Sequence, residues 1–361
     1  MKKRIKIEDT SEDFAEEVIE GVKSRRDRVR EIASEKDLIP SGSTLLNCAL
    51  SDNPLGGYGI GKLVNLIGDS HSGKSLLALY CLAEVAVQER FKDYNLYYDD
   101  VEVALEFDLD YLFGGEFAKR IIVDDISASA EEFYGNVYRK IQEGKPFIYV
   151  LDTFDALYSE DDRDRAEEFA AGKKVGGRYT DGKPKLVSEM LRTIKGDIKT
   201  KEALVIIISQ TRDNIGFGSQ FQPKVRTGGR ALKFYSTHEF WLAVKKSDRE
   251  NKYKRQIGAI TEAKITKNKI TGKKRDADIY IYTDYGIDDI AANVDFLVDN
   301  GAWKKDKNTI MVPEFKLQGV RRKIIYDIEE MNLQDEVVKL VGQKWNEIEE
   351  SIRLDRKPRY E

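Results

Sequence analysis

Residues 68–75 read Gly68-Asp69-Ser70-His71-Ser72-Gly73-Lys74-Ser75, the G-x-x-x-x-G-K-[ST] spacing that lets a backbone close around phosphate oxygens. The glycines allow main-chain N–H groups to curl around a β-phosphate. Lys74 can reach the β and γ oxygens, and Ser75 can ligate magnesium. A helix opening here adds its dipole to the same anion. A second element, Phe147-Ile148-Tyr149-Val150-Leu151-Asp152, is an apolar run ending in a carboxylate suited to holding a magnesium shell through water, with Asp155 competing for that part. Hydrolysis also needs a group that orients or activates water. Asp99, Asp100, Glu102 and Glu106 follow the apolar run 95–98, and position alone leaves the choice among them open.

Such groups need a scaffold that brings distant segments to one edge. Short apolar runs at 62–67, 95–98, 120–123, 147–151 and 203–209 alternate with amphipathic stretches at 74–89, 128–142 and 187–201. The alternation predicts an α/β fold, a mainly parallel twisted sheet flanked by helices. After residue 237, the runs 239–244, 259–265 and 278–282 predict antiparallel additions at the sheet edge. Phe14, Val18, Val22, Val29 and Ile32 fall at helical spacings and predict an amphipathic helix on an N-terminal arm. The charged stretch from residue 314, with Trp345, Ile348 and Ile352, predicts a small helical C-terminal region. The expected division is an oligomerisation arm at 1–38, a core at 39–303 and the C-terminal region at 304–361.

Composition excludes several classes. With 361 residues the chain has ample length for a core, and 60 Lys plus Arg against 64 Asp plus Glu give a net charge of −4. A polyanionic partner must therefore be met by local basic patches. Two cysteines, Cys48 and Cys81, cannot build a disulfide framework, and His71 and His238 cannot build a multi-histidine metal cluster. The longest apolar stretch, 76–87, contains Glu84 and is too short to span a bilayer. No membrane partner and a cytoplasmic setting are expected.

Taken together, the motifs resemble the RecA recombinases, including the phage UvsX-like members. The resemblance runs from about Ile39 to Trp303, beginning with Ile39-Pro40-Ser41-Gly42-Ser43-Thr44-Leu45-Leu46 and continuing through the phosphate loop. Asp100-Val101-Glu102-Val103-Ala104-Leu105 is similar to the family's D-x-E-x-A-L, whose Glu activates the attacking water, so the resemblance selects Glu102. Ser209-Gln210-Thr211-Arg212 resembles the strand end whose glutamine senses the γ-phosphate and opens the second DNA-binding loop. That loop closes at Thr227-Gly228-Gly229 and leads into Ala231-Leu232-Lys233-Phe234-Tyr235, where the resemblance places Phe234 at a protomer interface. Lys267-Asn268-Lys269-Ile270 resembles the lysine pair that reaches ATP on the neighbouring protomer.

The resemblance implies a RecA-like P-loop ATPase core using ATP and Mg2+. It further implies a homo-oligomeric helical filament on single-stranded DNA that exchanges strands with homologous duplex DNA in recombination and repair, with single-strand-binding and loader proteins as partners. A RecA-fold hexameric helicase or motor and a noncatalytic mediator are the competing readings. The chain departs from the family in an enlarged first DNA loop, about 160–185, and in its tail. Leu109 stands where an aromatic would stack on adenine.

The two loops carry their own signal. Arg212, Lys224, Arg226, Arg230 and Lys233 face one acidic residue, Asp213, with Phe217 and Phe221 among glycines. Cations that neutralise phosphates, interleaved with rings that stack on bases, are what single-strand binding needs. Six basic residues lie between 172 and 192, where the glycines and Pro184 predict a loop before the helix. Ser188 and Arg192, four apart on one helix face, align with phosphate contacts of the family.

Overall fold

A computed structural model describes residues 34–105, 108–123, 126–172, 183–213, 224–226, 229–250 and 252–356. The arm helix expected from residue 10 lies, up to residue 33, outside the described residues. The five predicted strand runs form Lys62–Gly68, Asn95–Asp100, Ile121–Ile122, Phe147–Asp152 and Leu204–Asp213. All five are parallel, in the sheet order Ile121–Ile122, Asn95–Asp100, Phe147–Asp152, Leu204–Asp213, Lys62–Gly68. His238–Arg249 corrects one expectation. It pairs parallel with Lys62–Gly68 and antiparallel with Gln256–Asn268, so it is the last strand of the parallel set and not an antiparallel addition. Among the described residues, Gln256–Asn268, Asp276–Tyr282 and Gly286–Ile287 extend the sheet antiparallel beyond it.

The central strands are apolar at nearly every position because both faces are covered. Successive side chains point to opposite faces. Leu204, Ile206 and Ile208 enter one core with the helices Thr44–Ser51 and Lys74–Val87. Val205 and Ile207 enter the other, with Ala130–Glu143 and Lys183–Thr200. The helix ends follow local chemistry. Ser129 caps Ala130–Glu143 through a reciprocal box with Glu132, and Gly144, at φ 81°, ends it in a left-handed turn. Pro184, expected in a loop, sits in the first turn of Lys183–Thr200, where its missing N–H would have no helical partner anyway. The enlarged segment expected as a loop contains the helix Glu160–Ala170, and residues 173–182 lie outside the described residues.

The C-terminal region is helical from Arg321 onward, in Arg321–Glu330 and Gln334–Ser351, and is preceded by a small antiparallel sheet, Lys304–Asp306, Thr309–Val312 and Leu317–Gly319. Trp303, Ile324, Ile328, Val341 and Trp345 join the same buried cluster as the Thr44–Ser51 helix. The last helix is also pinned by charge. Lys273 bridges Asp52 and Glu349 at 2.6 and 2.8 Å, and Arg275 grips Glu349 with Nε and Nη2.

Candidate nucleotide site and nucleic-acid loops

Parallel strands place their C-terminal ends along one edge of the sheet, where open α/β sheets bind ligands. Gly68, Asp100, Asp152 and Gln210 stand on that edge: Gly68 is in register with Gln210, and Asp100 with Asp152. The phosphate loop leaves Gly68 and enters the helix at Lys74. A Cβ on Gly68 would stand 2.8 Å from the Leu242 carbonyl, and Gly73 is held at φ 90° beside Ile281, so the loop needs both glycines. Lys74 is 7% exposed. Its Nζ donates to the Asp69 carbonyl at 2.7 Å, inside the loop itself. Burial pushes its ammonium below the usual lysine range, and the carboxylates of Asp152, Glu102 and Asp69 oppose that push. Ser72 also donates to the Asp69 carbonyl, at 2.8 Å, while Ser70 and His71 are exposed at the loop tip.

The carboxylates left open by the sequence separate by what they touch. Asp99 accepts from the Ser127 amide and hydroxyl and from Tyr149, and it is buried. Asp100 accepts from the Ala104 and Leu105 amides, so it fixes the turn that follows its strand. Glu102 is exposed, and its Oε1 accepts from Thr153 Oγ1 at 2.9 Å and Gln210 Nε2 at 2.7 Å. Glu106 lies outside the described residues. Asp152 is 6% exposed and accepts from the Tyr98 hydroxyl at 2.6 Å and from Ser75. Burial raises its pKa, as expected of a carboxylate placed where a cation would relieve it. Asp155 instead accepts from the Gln210 amide at 2.6 Å, leaving Oδ1 buried and without a partner among the described residues.

Ser75 and Asp152 therefore suit magnesium, which binds through one or two protein oxygens, water and substrate phosphates. Among the described residues no group of three or more His, Cys, Asp or Glu could hold a metal ion.

The loop residues divide. Ser188 and Arg192 lie on the helix Lys183–Thr200, which buries Val187, Leu191, Ile194 and Ile198; Ser188 flanks that stripe and Arg192 is exposed. Arg212 is exposed near the end of its strand, which continues to Asp213 and pairs antiparallel with Lys224–Arg226. The expected loop thus begins and ends as a short ribbon, with Arg226 on its backbone and Gly229 opening the helix Gly229–Tyr235. Phe217, Phe221 and Gly228 lie outside the described residues. Sequence reasoning missed one contact: Asp69 Oδ1 accepts from Thr211 and Oδ2 from Lys224. The signal was an acidic residue inside an anion-binding loop. Phe234 is 70% exposed, and Lys267 and Lys269 both donate to its carbonyl, at 3.0 and 3.2 Å. Burial and the adjacent Lys269 hold Lys267 down to about 8.

Residues 19–288, well over half of the chain, match the RecA N-terminal domain. The chain belongs to the RecA family. Protein RecA of Listeria ivanovii is 29% identical over 321 residues, covering 85% of this chain and 83% of that protein. Protein RecA of Clostridioides difficile (strain 630) is 29% identical over 287 residues, covering 76% and 74%. RecA membership accords with the mainly parallel sheet and with the order of the motifs along it. No helix among the described residues of this RecA-family chain is long and apolar enough to cross a membrane.

Proposed function

We propose that this RecA-family protein is an ATP-dependent DNA strand-exchange recombinase that assembles head to tail as a helical filament on single-stranded DNA. The observation that carries the reading is the Glu102–Gln210 contact. It joins a carboxylate beside the phosphate loop to the strand that runs into a basic ribbon, as an ATPase answering to nucleic acid requires.

In this reading the loop amides of residues 68–75 and Lys74 bind the ATP phosphates, and Lys74 leaves the Asp69 carbonyl to do so. Magnesium, when bound to Ser75 and through water to Asp152, would offset charge on the β and γ oxygens. Glu102 accepts a proton from the attacking water as its oxygen bonds the γ-phosphorus and the bridge to ADP breaks. Gln210 exchanges its bond to Glu102 for the γ-phosphate, which gives ATP a different contact in each state and so a means to bias the ribbon. Lys267, Lys269 and Phe234 meet the next protomer, where the lysines add cations to its triphosphate. Ser188, Arg192, Arg212 and Arg226 take DNA phosphates, and Phe217 and Phe221 stack on bases. An interface that does not close on itself yields an open filament. Homologous duplex DNA is the second substrate, and single-strand-binding and loader proteins are the accessory partners.

Electron microscopy of the protein with ATP and single-stranded DNA tests this. Open helical filaments are expected. Closed rings would point instead to a motor, and the absence of any assembly to a mediator.

A further inference from the structure

A loop that binds phosphates gathers N–H groups and a lysine around an anion, and a carboxylate beside it works against that purpose. Asp69 is such a carboxylate, the second residue of the loop. Its side chain is not left to water. One oxygen accepts from the Thr211 hydroxyl and the other from the Lys224 ammonium. Thr211 and Lys224 stand on opposite strands of the ribbon, in which Thr211 pairs with Arg226 and Asp213 with Lys224. One carboxylate thus grips both strands of the ribbon. The main chain of the same residue holds the phosphate-binding lysine, since Lys74 Nζ donates to the Asp69 carbonyl at 2.7 Å.

Asp69 is therefore engaged twice, through its carbonyl by Lys74 and through its carboxylate by the ribbon. A polyphosphate entering the loop acts on both bonds. It draws Lys74 off the carbonyl, and its negative charge disfavours the neighbouring carboxylate. Lys224 and Asp69 each keep 46% side-chain exposure, so the pair is open to water and breaks at modest cost, unlike a buried ion pair. Lys224, Thr211 and Lys74 all hold the carboxyl below its usual range, so the latch is charged at neutral pH and needs no proton to open.

We propose that Asp69 is a positioning residue that latches the DNA ribbon to the phosphate loop, and that phosphate binding releases the latch and frees Lys224 for nucleic-acid phosphates. The inference rests on the reading of residues 212–233 as a DNA loop, and it adds a route from the nucleotide to that loop separate from Gln210.

The test measures single-stranded DNA affinity by fluorescence anisotropy, without nucleotide and with a saturating non-hydrolysable ATP analogue plus magnesium. Asp69→Asn should tighten nucleotide-free binding by roughly two- to fivefold, the scale of an exposed ion pair. The gain from nucleotide should shrink by the same factor, and in the Lys224→Gln background Asp69→Asn should add little, because the two residues act through one contact. An unchanged ratio of the two affinities in Asp69→Asn, with the analogue still bound, would overturn the proposal. Hydrogen exchange gives a readout that needs no DNA. In the unmodified protein the analogue should speed exchange of the ribbon amides at 211–213 and 224–226, and Lys224→Gln, which lies outside the phosphate loop, should make them fast from the start. Ribbon exchange indifferent to both would sink the latch. Failure of the unmodified protein to bind DNA, with the exchange response intact, would refute the DNA reading alone.

Discussion

Gln210 Nε2 and Glu102 Oε1 lie 2.7 Å apart, joining two strand ends across the strand that separates them. Thr153, just past the end of that intervening strand, donates to the same oxygen at 2.9 Å. Three segments distant in sequence thus converge on one carboxylate, and it belongs to the one residue of the acidic group 99–102 that is exposed toward solvent.

Glu102→Gln should keep ATP and DNA binding while lowering turnover by about 10²- to 10⁴-fold, because the amide keeps the shape but cannot take a proton. Asp100→Asn should behave differently. It weakens the turn over Ala104 and Leu105 at a cost of about 1 kcal/mol and leaves hydrolysis per folded molecule nearly intact. Steady-state ATPase assays beside thermal melts decide the matter, and the reverse pattern would make Asp100 the base.

Lys74→Ala should abolish hydrolysis and nucleotide-dependent assembly, since it removes the cation that compensates charge on the β and γ oxygens. The variant should still fold, because among the described residues its Nζ bonds the loop's own carbonyl at Asp69. Full ATPase activity would show that the phosphates lie elsewhere.

Arg192→Ala and Arg212→Ala should each weaken single-stranded DNA binding alike for all sequences, and the slope of log K against log salt should become shallower by about 0.7 for each phosphate no longer neutralised. Phe217→Ala or Phe221→Ala should leave the slope nearly unchanged and cost on the order of 1–3 kcal/mol. If the double arginine variant kept both affinity and slope, these residues would not line the DNA path.

Acid should loosen the C-terminal helix. Arg275, and beyond it Lys273, hold Glu349 down to about 2, against an ordinary value of 4.5, and its side chain is only 10% exposed. A depressed folded-state pKa stabilises the fold above the unfolded value and loses that contribution as pH falls from about 4.5 toward about 2. Glu349→Gln should lower stability at pH 7 by on the order of 1–3 kcal/mol and flatten the decline of the melting temperature between about pH 5 and pH 3. Parallel melting curves for the two proteins would contradict it.

The phosphate loop and the five parallel strands are legible in the sequence because each signal is local. A glycine–lysine spacing sits between an apolar run and an amphipathic one. The parallel placement of His238–Arg249 is not, since the residues that pair with it lie far back in the chain, at 64–68, and no periodicity names a partner. Glu160–Ala170 escaped because its sequence, EDDRDRAEEFA, has no apolar stripe, although most of its residues favour helix. The choice among Asp99, Asp100 and Glu102 could not be made from spacing. Ser127 and Tyr149, from other segments, engage Asp99, and the turn that lets the Ala104 and Leu105 amides reach Asp100 has no apolar period to announce it.

The Trp345 indole donates to Asp52 across 293 residues of sequence, beside the ion pairs that bind the last helix to Asp52 and its surroundings. The helix Thr44–Ser51, which ends at Asp52, is therefore completed by a segment made 293 residues later. Until then Leu45, Ala49 and their neighbours lack part of their cover, and a nascent chain holds open apolar surface while the intervening residues are made. Pairings of such sequence separation close slowly. A ribosome stalled before residue 345 would release a chain with an unsealed core.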